Sequence, residues 1–271
     1  MAIKKRPVSP RQKMINLMYV VLMAMLALNV STEVLEGFSI VEESLHRTTS
    51  NASSENESLY GDFETQMKSN PQKVKAWFEK ATAVKQMSDS LFNFAQQLKE
   101  AIVKEADGEK GDVLNIKNKE NLEAANQIML SPASGKGEQL FNAINSFRER
   151  ILKMVTDERQ KAIIASNLTT TLPKNARTMG KNWQEYMFED MPVAAAVTLL
   201  TKLQSDVRYA EGDGFESFRV TLYNQVPAIF PGILVTELNH LLELPLGVDM
   251  HQRERNFTRS KSLFSQTYHN R

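Results

Sequence analysis

The feature that most constrains this chain is an uncharged apolar run near its N-terminus. Met14 to Val30 comprises seventeen residues, of which only Asn16, Tyr19 and Asn29 are polar. A helix needs roughly 17–25 apolar residues to cross the hydrocarbon core of a bilayer. Because small hydroxyl side chains can bond within a helix, Ser31 and Thr32 can extend this one. We therefore expect a transmembrane helix over residues 14–34.

The charges on either side of the run predict its orientation. Five cations precede it, and no acidic residue occurs before Glu33. Since cationic flanks stay in the cytoplasm, residues 1–13 are expected to be cytoplasmic and the remainder to cross the membrane. Two alternatives stay open. One is a cleaved signal peptide, although its apolar run is usually about 7–15 residues and Leu28-Asn29-Val30 is a poor cleavage site. The other is a buried core helix.

Composition limits the remaining classes. The 271 residues suffice for one or two domains. A net charge of +1 gives no global field that would attract nucleic acid. The absence of cysteine excludes a disulfide scaffold and thiolate zinc sites, without deciding the compartment.

Helical periodicity follows the apolar run. A helix is predicted from Val34 to about Ser69, because the residue before Pro71 resists the α conformation. The segment Thr48 to Ser58 is rich in threonine, serine and asparagine, which leaves a loop there as an alternative. The next helix is predicted to begin at Pro71. Its apolar seam repeats every 3.5 residues, as in helix-on-helix packing, through Trp77, Ala81, Val84, Ser88, Leu91, Ala95, Leu98 and Ile102.

Three further helices are predicted. A short one covers about residues 119–130, and a long one runs from Glu138 to about Asn167. The last runs from Trp183 to Glu211, where Gly212 is expected to cap it. Pro192 should either kink this last helix or mark a new start after Asp190. Together these helices predict an all-α fold, a periplasmic bundle of four or five helices over residues 35–213.

The composition changes in residues 214–271. Alanine is frequent before this tail but occurs in it only at Ala228, and three of the four histidines lie there. We expect an irregular or poorly folded segment. An ordinary linker or a small second domain is one interpretation. A reading-frame shift near Gly212, which would yield residues never selected for a fold, is the other.

No set of residues has the spacing of a catalytic or metal site. His46 has no metal-binding partner one turn away, Gly135-Lys136-Gly137 lacks the spacing of a phosphate loop, and no nucleophile elbow occurs. We expect a protein that is not an enzyme and has no cofactor or metal. Arg11 is the residue with two interpretations. It is either a topological charge that extends to the membrane surface or a cation that pairs with a carboxylate of another protein.

Two separated segments resemble one known family. Ser9-Pro-Arg-Gln-Lys-Met-Ile-Asn-Leu-Met-Tyr, followed by Ala24-Met-Leu-Ala-Leu-Asn and Glu33-Val-Leu, resembles the opening of the GldM/PorM family. These are gliding-motility and type IX secretion proteins of Bacteroidota. Trp183 to Tyr186, Phe188 to Leu200 and Lys202 to Val207 give the second match. The resemblance covers about residues 1–213.

The resemblance implies a single-pass inner-membrane homodimer that works as a proton-driven motor. Its membrane helix lies within a GldL/PorL-type partner, whose glutamate pairs with the family's motor arginine, here Arg11. Met14, Asn16 and Tyr19 lie in the same matching segment and are expected at the partner contact. A periplasmic family motif comprises Trp183, Phe188, Glu189, Asp190, Met191 and Pro192.

The family continues into β-rich domains that reach a GldK/GldN-type (PorK/PorN) outer-membrane ring. Since the resemblance stops near Asp213, that part is expected to be missing here and the contact with the ring lost. The runner-up function is a membrane-anchored periplasmic sensor or binding domain, which would need a cytoplasmic output module. A periplasmic chaperone would need a cleaved N-terminus.

Overall fold

The computed structural model describes residues 9–28, 31–132, 134–174, 177 and 180–225. Over these residues the chain is helical and contains no strand, which confirms the predicted all-α class. Its helices include α1 (Pro10–Leu28), α2 (Thr32–Ser69), α3 (Pro71–Asp107), α4 (Glu123–Met129), α5 (Lys136–Met154), α6 (Glu158–Asn167), α7 (Trp183–Phe188) and α8 (Val193–Gln225).

Among the described helices, none is both long enough and apolar enough to span a membrane.

A cap separates α2 from the residues before it. Ser31 has extended backbone torsions, with φ −66° and ψ 145°, and its hydroxyl accepts a hydrogen bond from the Val34 N–H at 3.4 Å. A serine in this conformation is a standard helix N-cap. The expectation that Ser31 extends the preceding helix is therefore wrong, because its side chain starts α2 instead.

The helix α2 is continuous to Ser69, so the predicted end before Pro71 is confirmed and the loop alternative over Thr48–Ser58 is wrong. Thr48 and Thr49 satisfy their hydroxyls inside the helix by donating to the Ser44 and Leu45 carbonyls at 2.9 and 2.7 Å. Intrinsic propensity is a weak constraint that packing overrides, and Asn56 is buried against α8.

Three long helices form the centre of the domain. The Thr198 hydroxyl contacts Phe38, and Glu211 contacts Asn56, so α2 and α8 run parallel. Lys99 contacts Thr201 whereas Ser88 contacts Glu211, so α3 runs antiparallel to α8. The predicted α3 seam is confirmed, since its members from Ala81 to Ile102 are buried and Trp77 is half-buried.

Two predicted helix boundaries are wrong for the same physical reason. The expected helix from Glu138 to Asn167 is divided into α5 and α6, because Asp157 Oδ1 accepts from the N–H groups of Arg159 and Gln160 and starts a new helix. Likewise α4 begins at Glu123, because Asn121 Oδ1 accepts hydrogen bonds from the N–H groups of Glu123 and Ala124. A side-chain oxygen that satisfies the free N–H groups of a first turn fixes where a helix starts.

The predicted end of the last helix at Gly212 is also wrong. Pro192 marks a new start, as one alternative held, and α8 then runs from Val193 to Gln225. Phe215, Phe218 and Leu222 are completely buried, so the helical fold continues past Asp213. Residues 226–271, which hold the rest of the predicted tail, lie outside the described residues.

Candidate functional site

The helix α1 presents apolar side chains in every direction. All large apolar residues from Met14 to Met23 are exposed, and Met18 has 72% of its surface accessible. Ten consecutive residues pass around the helix more than twice. A helix that is apolar on all sides is normally covered on all sides.

The predicted partner-binding residues are exposed on α1 but do not share one face. Arg11 and Met14 lie three residues apart and are neighbours on the helix surface. Asn16 lies roughly 160° around the helix from Met14, and its amide oxygen accepts from Gln12 Nε2 at 3.1 Å. Tyr19 is exposed as well. In the part of the chain that the structure describes, no carboxylate forms an ion pair with Arg11.

The predicted family motif begins in α7. Asn182 and Glu185 form a reciprocal capping box, in which each side chain accepts from the other's backbone N–H at 2.8 Å. This cap sets the direction of α7. The Trp183 ring then contacts Phe141 of α5 and Phe188, with ring centroids 5.7 and 6.1 Å apart. Phe188 is buried. These aromatic contacts fasten α7 to α5.

The rest of the motif attaches the start of α8 to α4 and to the segment before it. Asp190 has a left-handed φ of 51°, and its N–H donates to Asn126 Oδ1 at 3.0 Å. Beyond the buried Pro192, the N–H groups of Val193 and Ala194 donate to carbonyls at residues 121 and 119, at 3.1 and 3.2 Å. The contacts of these motif residues are therefore internal to the domain.

Glu189 and Met191 complete the motif. The Glu189 carboxylate pairs with Lys181, and this hydrogen bond raises the pKa of the lysine. Met191 is half-buried in the turn. Neither residue points to a separate binding site.

A buried charged cluster joins α2, α3 and α8. Glu211 is 1% exposed, and its Oε2 lies 2.7 Å from Arg208, 2.9 Å from Ser88 and 3.1 Å from Asn56. The Arg208 guanidinium also binds Asp89 at 2.8 Å. We call these five residues the Glu211 cluster. Each of the three helices contributes a polar group, so the cluster fixes their relative register.

Arg208 is the cation of the Glu211 cluster. Burial acts to lower the pKa of Arg208, but the negative charges of Glu211 and Asp89 outweigh it and raise that pKa. The guanidinium lies 4.4 Å from the Phe92 ring centroid, a cation–π distance. Among the described residues its Nε has no hydrogen-bond partner. Removing the paired carboxylate would leave a poorly compensated cation in the interior, which is costly.

A second buried charge lies nearer to the start of α2. Lys99 is 2% exposed, and its ammonium donates to Thr201 Oγ1 at 3.1 Å. The same hydroxyl lies 3.0 Å from Glu42 Oε1. Burial lowers the pKa of Lys99, whereas Glu42 and Glu100 oppose that shift. We call Glu42, Lys99 and Thr201 the Lys99 contact.

Comparison with known protein families identifies the family of this chain. The family model of the GldM N-terminal domain matches residues 33–219, most of the chain. The chain belongs to the GldM family. This membership associates it with gliding motility and type IX secretion. A comparison with curated proteins found no match.

The GldM match begins within the first turn of α2 and ends inside α8. It therefore extends beyond Asp213, where the resemblance seen in the sequence was expected to stop. Phe215 and Phe218 belong to the matched domain and to its core. The helix α1 precedes the match.

Sequence reasoning missed both buried charges of this GldM domain. Arg208 and Glu211 have the i,i+3 spacing of an ordinary surface ion pair, and nothing local marks the Glu211 carboxylate as buried. Gly212 is the sequence feature that indicates close packing at this position. A Cβ there would lie 2.6 Å from Asn56 Oδ1, so the glycine permits close approach of α2 rather than ending a helix.

Proposed function

We propose that this chain is a non-enzymatic inner-membrane subunit of the type IX secretion and gliding machinery. In this role α1 engages a GldL/PorL-type membrane partner, and the helical domain carries the resulting motion into the periplasm. The observation that supports this most is the GldM match over residues 33–219, which follows a helix whose large apolar residues from Met14 to Met23 are exposed on all sides.

The chemistry of α1 supports a role in membrane coupling. Its apolar residues favour a cover of lipid or partner helices, and its cations lie at the end predicted to be cytoplasmic. Arginine side chains do not lose their proton in proteins. A partner carboxylate would therefore be the group that titrates, and its protonation would release the pair. That release is how proton flow would become motion.

The assembly follows from the same proposal. Two copies would each place one α1 inside the partner, and the domain that begins at α2 would extend into the periplasm. Contact with the GldK/GldN-type ring would need protein beyond the GldM N-terminal domain. No nucleic acid, metal or cofactor takes part in this proposal.

The test is substitution of Arg11 in cells that express the chain in place of their own copy. Arg11→Ala should abolish secretion and gliding with the protein level unchanged, because the partner carboxylate loses its cation. Lys13→Ala is the matched control. It removes the same charge two residues away and should leave secretion intact.

Normal secretion by the Arg11→Ala variant would contradict the coupling role. Equal loss in both variants would show that net positive charge matters rather than a specific pair. Purification of the membrane partner with each variant would separate lost assembly from lost coupling.

A further inference from the structure

The two halves of α2 are held to the domain by different kinds of contact. In the C-terminal half, Tyr60 contacts the rings of Phe78 and Phe215 at 5.7 and 6.0 Å. Phe63 is completely buried and contacts Phe215 as well. Separating these rings would expose their apolar surface to water, which is costly. The C-terminal half of α2 is therefore firmly attached.

The N-terminal half is attached mainly through polar groups. Lys119 Nζ donates to Ser39 Oγ at 2.9 Å, Thr198 Oγ1 donates to the Phe38 carbonyl at 3.2 Å, and Thr201 contacts Glu42. Between residues 32 and 47, all of which are described, Leu35 is the one large apolar side chain that is fully buried. Water replaces polar contacts on separation, so these cost little net free energy to open.

The residues between these halves suit a bend. Six of the seven residues from Thr48 to Ser54 are threonine, serine or asparagine, which compete with helical bonding through their side chains. The Thr48 and Thr49 hydroxyls bond the carbonyls one turn back, an arrangement that often bends helices. Thr49 and Ala52 are buried there, and both side chains are small enough to let the helix bend without a steric clash.

We propose that α2 is a hinged arm, in which residues 32–47 swing as an intact helix away from α3 and α8 about the hinge Thr48–Ser54. The Lys99 contact holds the arm in its docked position. Asn56, in the Glu211 cluster, fixes the first turn beyond the hinge. Because the arm follows α1 in the chain, motion of α1 would reach it first. That use of the hinge rests on the proposed function, whereas the hinge itself does not.

The experiment measures distances between pairs of spin labels on the purified full chain, which has no native cysteine. Ile40→Cys with Ser90→Cys reports the arm against α3, since both positions are exposed. Ser58→Cys with Ser90→Cys reports the attached half and is the matched control. We expect a second, longer distance for the arm pair and a single narrow distance for the control pair.

Variants of the Lys99 contact then test the docked position. Thr201→Val removes the hydroxyl between Lys99 and Glu42, and should raise the ratio of the longer to the docked distance about fivefold, the effect of one lost hydrogen bond. Thr201→Ser keeps the hydroxyl and should leave the ratio unchanged. Thr82→Val removes the partner of the Tyr60 hydroxyl and should not alter the arm pair. Should Thr201→Val fail to fold, Lys119→Met opens the Ser39 contact instead.

A single narrow distance for the arm pair that no variant changes would overturn the hinge. Equal broadening of both pairs would also overturn it, since that result means general loosening. These readouts need neither secretion nor a partner, so their outcome is separate from that of the Arg11 experiment.

Discussion

Substitution of Gly212 by alanine is the sharpest test of how α8 packs. A Cβ at this position would lie 2.6 Å from Asn56 Oδ1, closer than real Cβ contacts allow. Asn56 is buried, and its amide donates to the Arg208 carbonyl at 2.7 Å and to Glu211 at 3.1 Å. The amide must move, and buried hydrogen bonds are lost with it.

Two effects of opposite sign then compete. Alanine stabilises a helix interior by about 0.5–1 kcal/mol relative to glycine. Overpacking costs about 1–3 kcal/mol, and a buried polar group left without its partner costs about 1–3 kcal/mol more. Because the losses exceed the gain, Gly212→Ala should lower the free energy of unfolding by roughly 1–5 kcal/mol.

Urea denaturation followed by helical circular dichroism measures this change. Gly61→Ala is the matched control, because Gly61 lies inside α2 with nothing within 4 Å of its Cβ position. That variant should be stabilised by about 0.5–1 kcal/mol. The double variant Asn56→Ala, Gly212→Ala should lose less than the sum of the single changes, since the clash is gone. Equal stabilisation by alanine at both glycines would refute the close approach of α2 and α8.

Two further substitutions probe the buried charges by the same assay. Lys99→Met should raise the free energy of unfolding by about 1–3 kcal/mol near pH 7, because it removes an ammonium group whose burial is costly. Burial lowers the folded-state pKa of Lys99, so the unfolded chain binds more protons and wild-type stability should rise with pH from that lowered pKa towards about 10.5. A stability difference between the wild type and Lys99→Met that stays constant across this window would contradict the assignment. Glu211→Gln should lower the free energy of unfolding by about 2–4 kcal/mol, because Arg208 loses its buried partner. Asp89→Asn should lower it by under about 1 kcal/mol, because Asp89 is partly exposed. Equal losses in the two variants would show that burial of Glu211 contributes nothing.

The long elements of this domain follow from local signals in the sequence. Pro71 ends one helix and begins the next, and the 3.5-residue seam of α3 is buried as its spacing predicts. Both signals depend on sterics and periodicity within one helix, so neighbouring helices do not alter them.

The errors arose where a distant segment decides the outcome. The sequence predicts a helix end at Gly212, yet the lack of a side chain there makes room for Asn56, which lies 156 positions earlier in the sequence. Asp157 breaks the predicted helix because its carboxylate accepts two backbone N–H groups, and an aspartate inside an apparent helical pattern gives little warning of this. The buried state of Glu211 depends on three helices at once, which periodicity along one helix cannot reveal.

For the proposed site, the sequence points to Arg11 and the apolar α1 but supplies no partner, because the proposed partner carboxylate would lie on another protein. The residues from Trp183 to Pro192 were identified as a motif, and the structure gives them contacts within the domain. A recurring motif alone does not distinguish residues that recognise a partner from residues that hold two helices together.

The parallel course of α2 and α8 has a mechanical consequence. The chain enters α2 at one end of the three-helix centre and reaches Leu222 near the other, after α2 alone has covered roughly 55 Å. A pull applied between Thr32 and Leu222 therefore acts along the helix axes, and beyond the hinge Thr48–Ser54 it loads the interhelical contacts of α2 in shear. Antiparallel ends would instead be peeled apart one contact at a time. We therefore expect the attached half of α2 to resist tension along the chain without a disulfide.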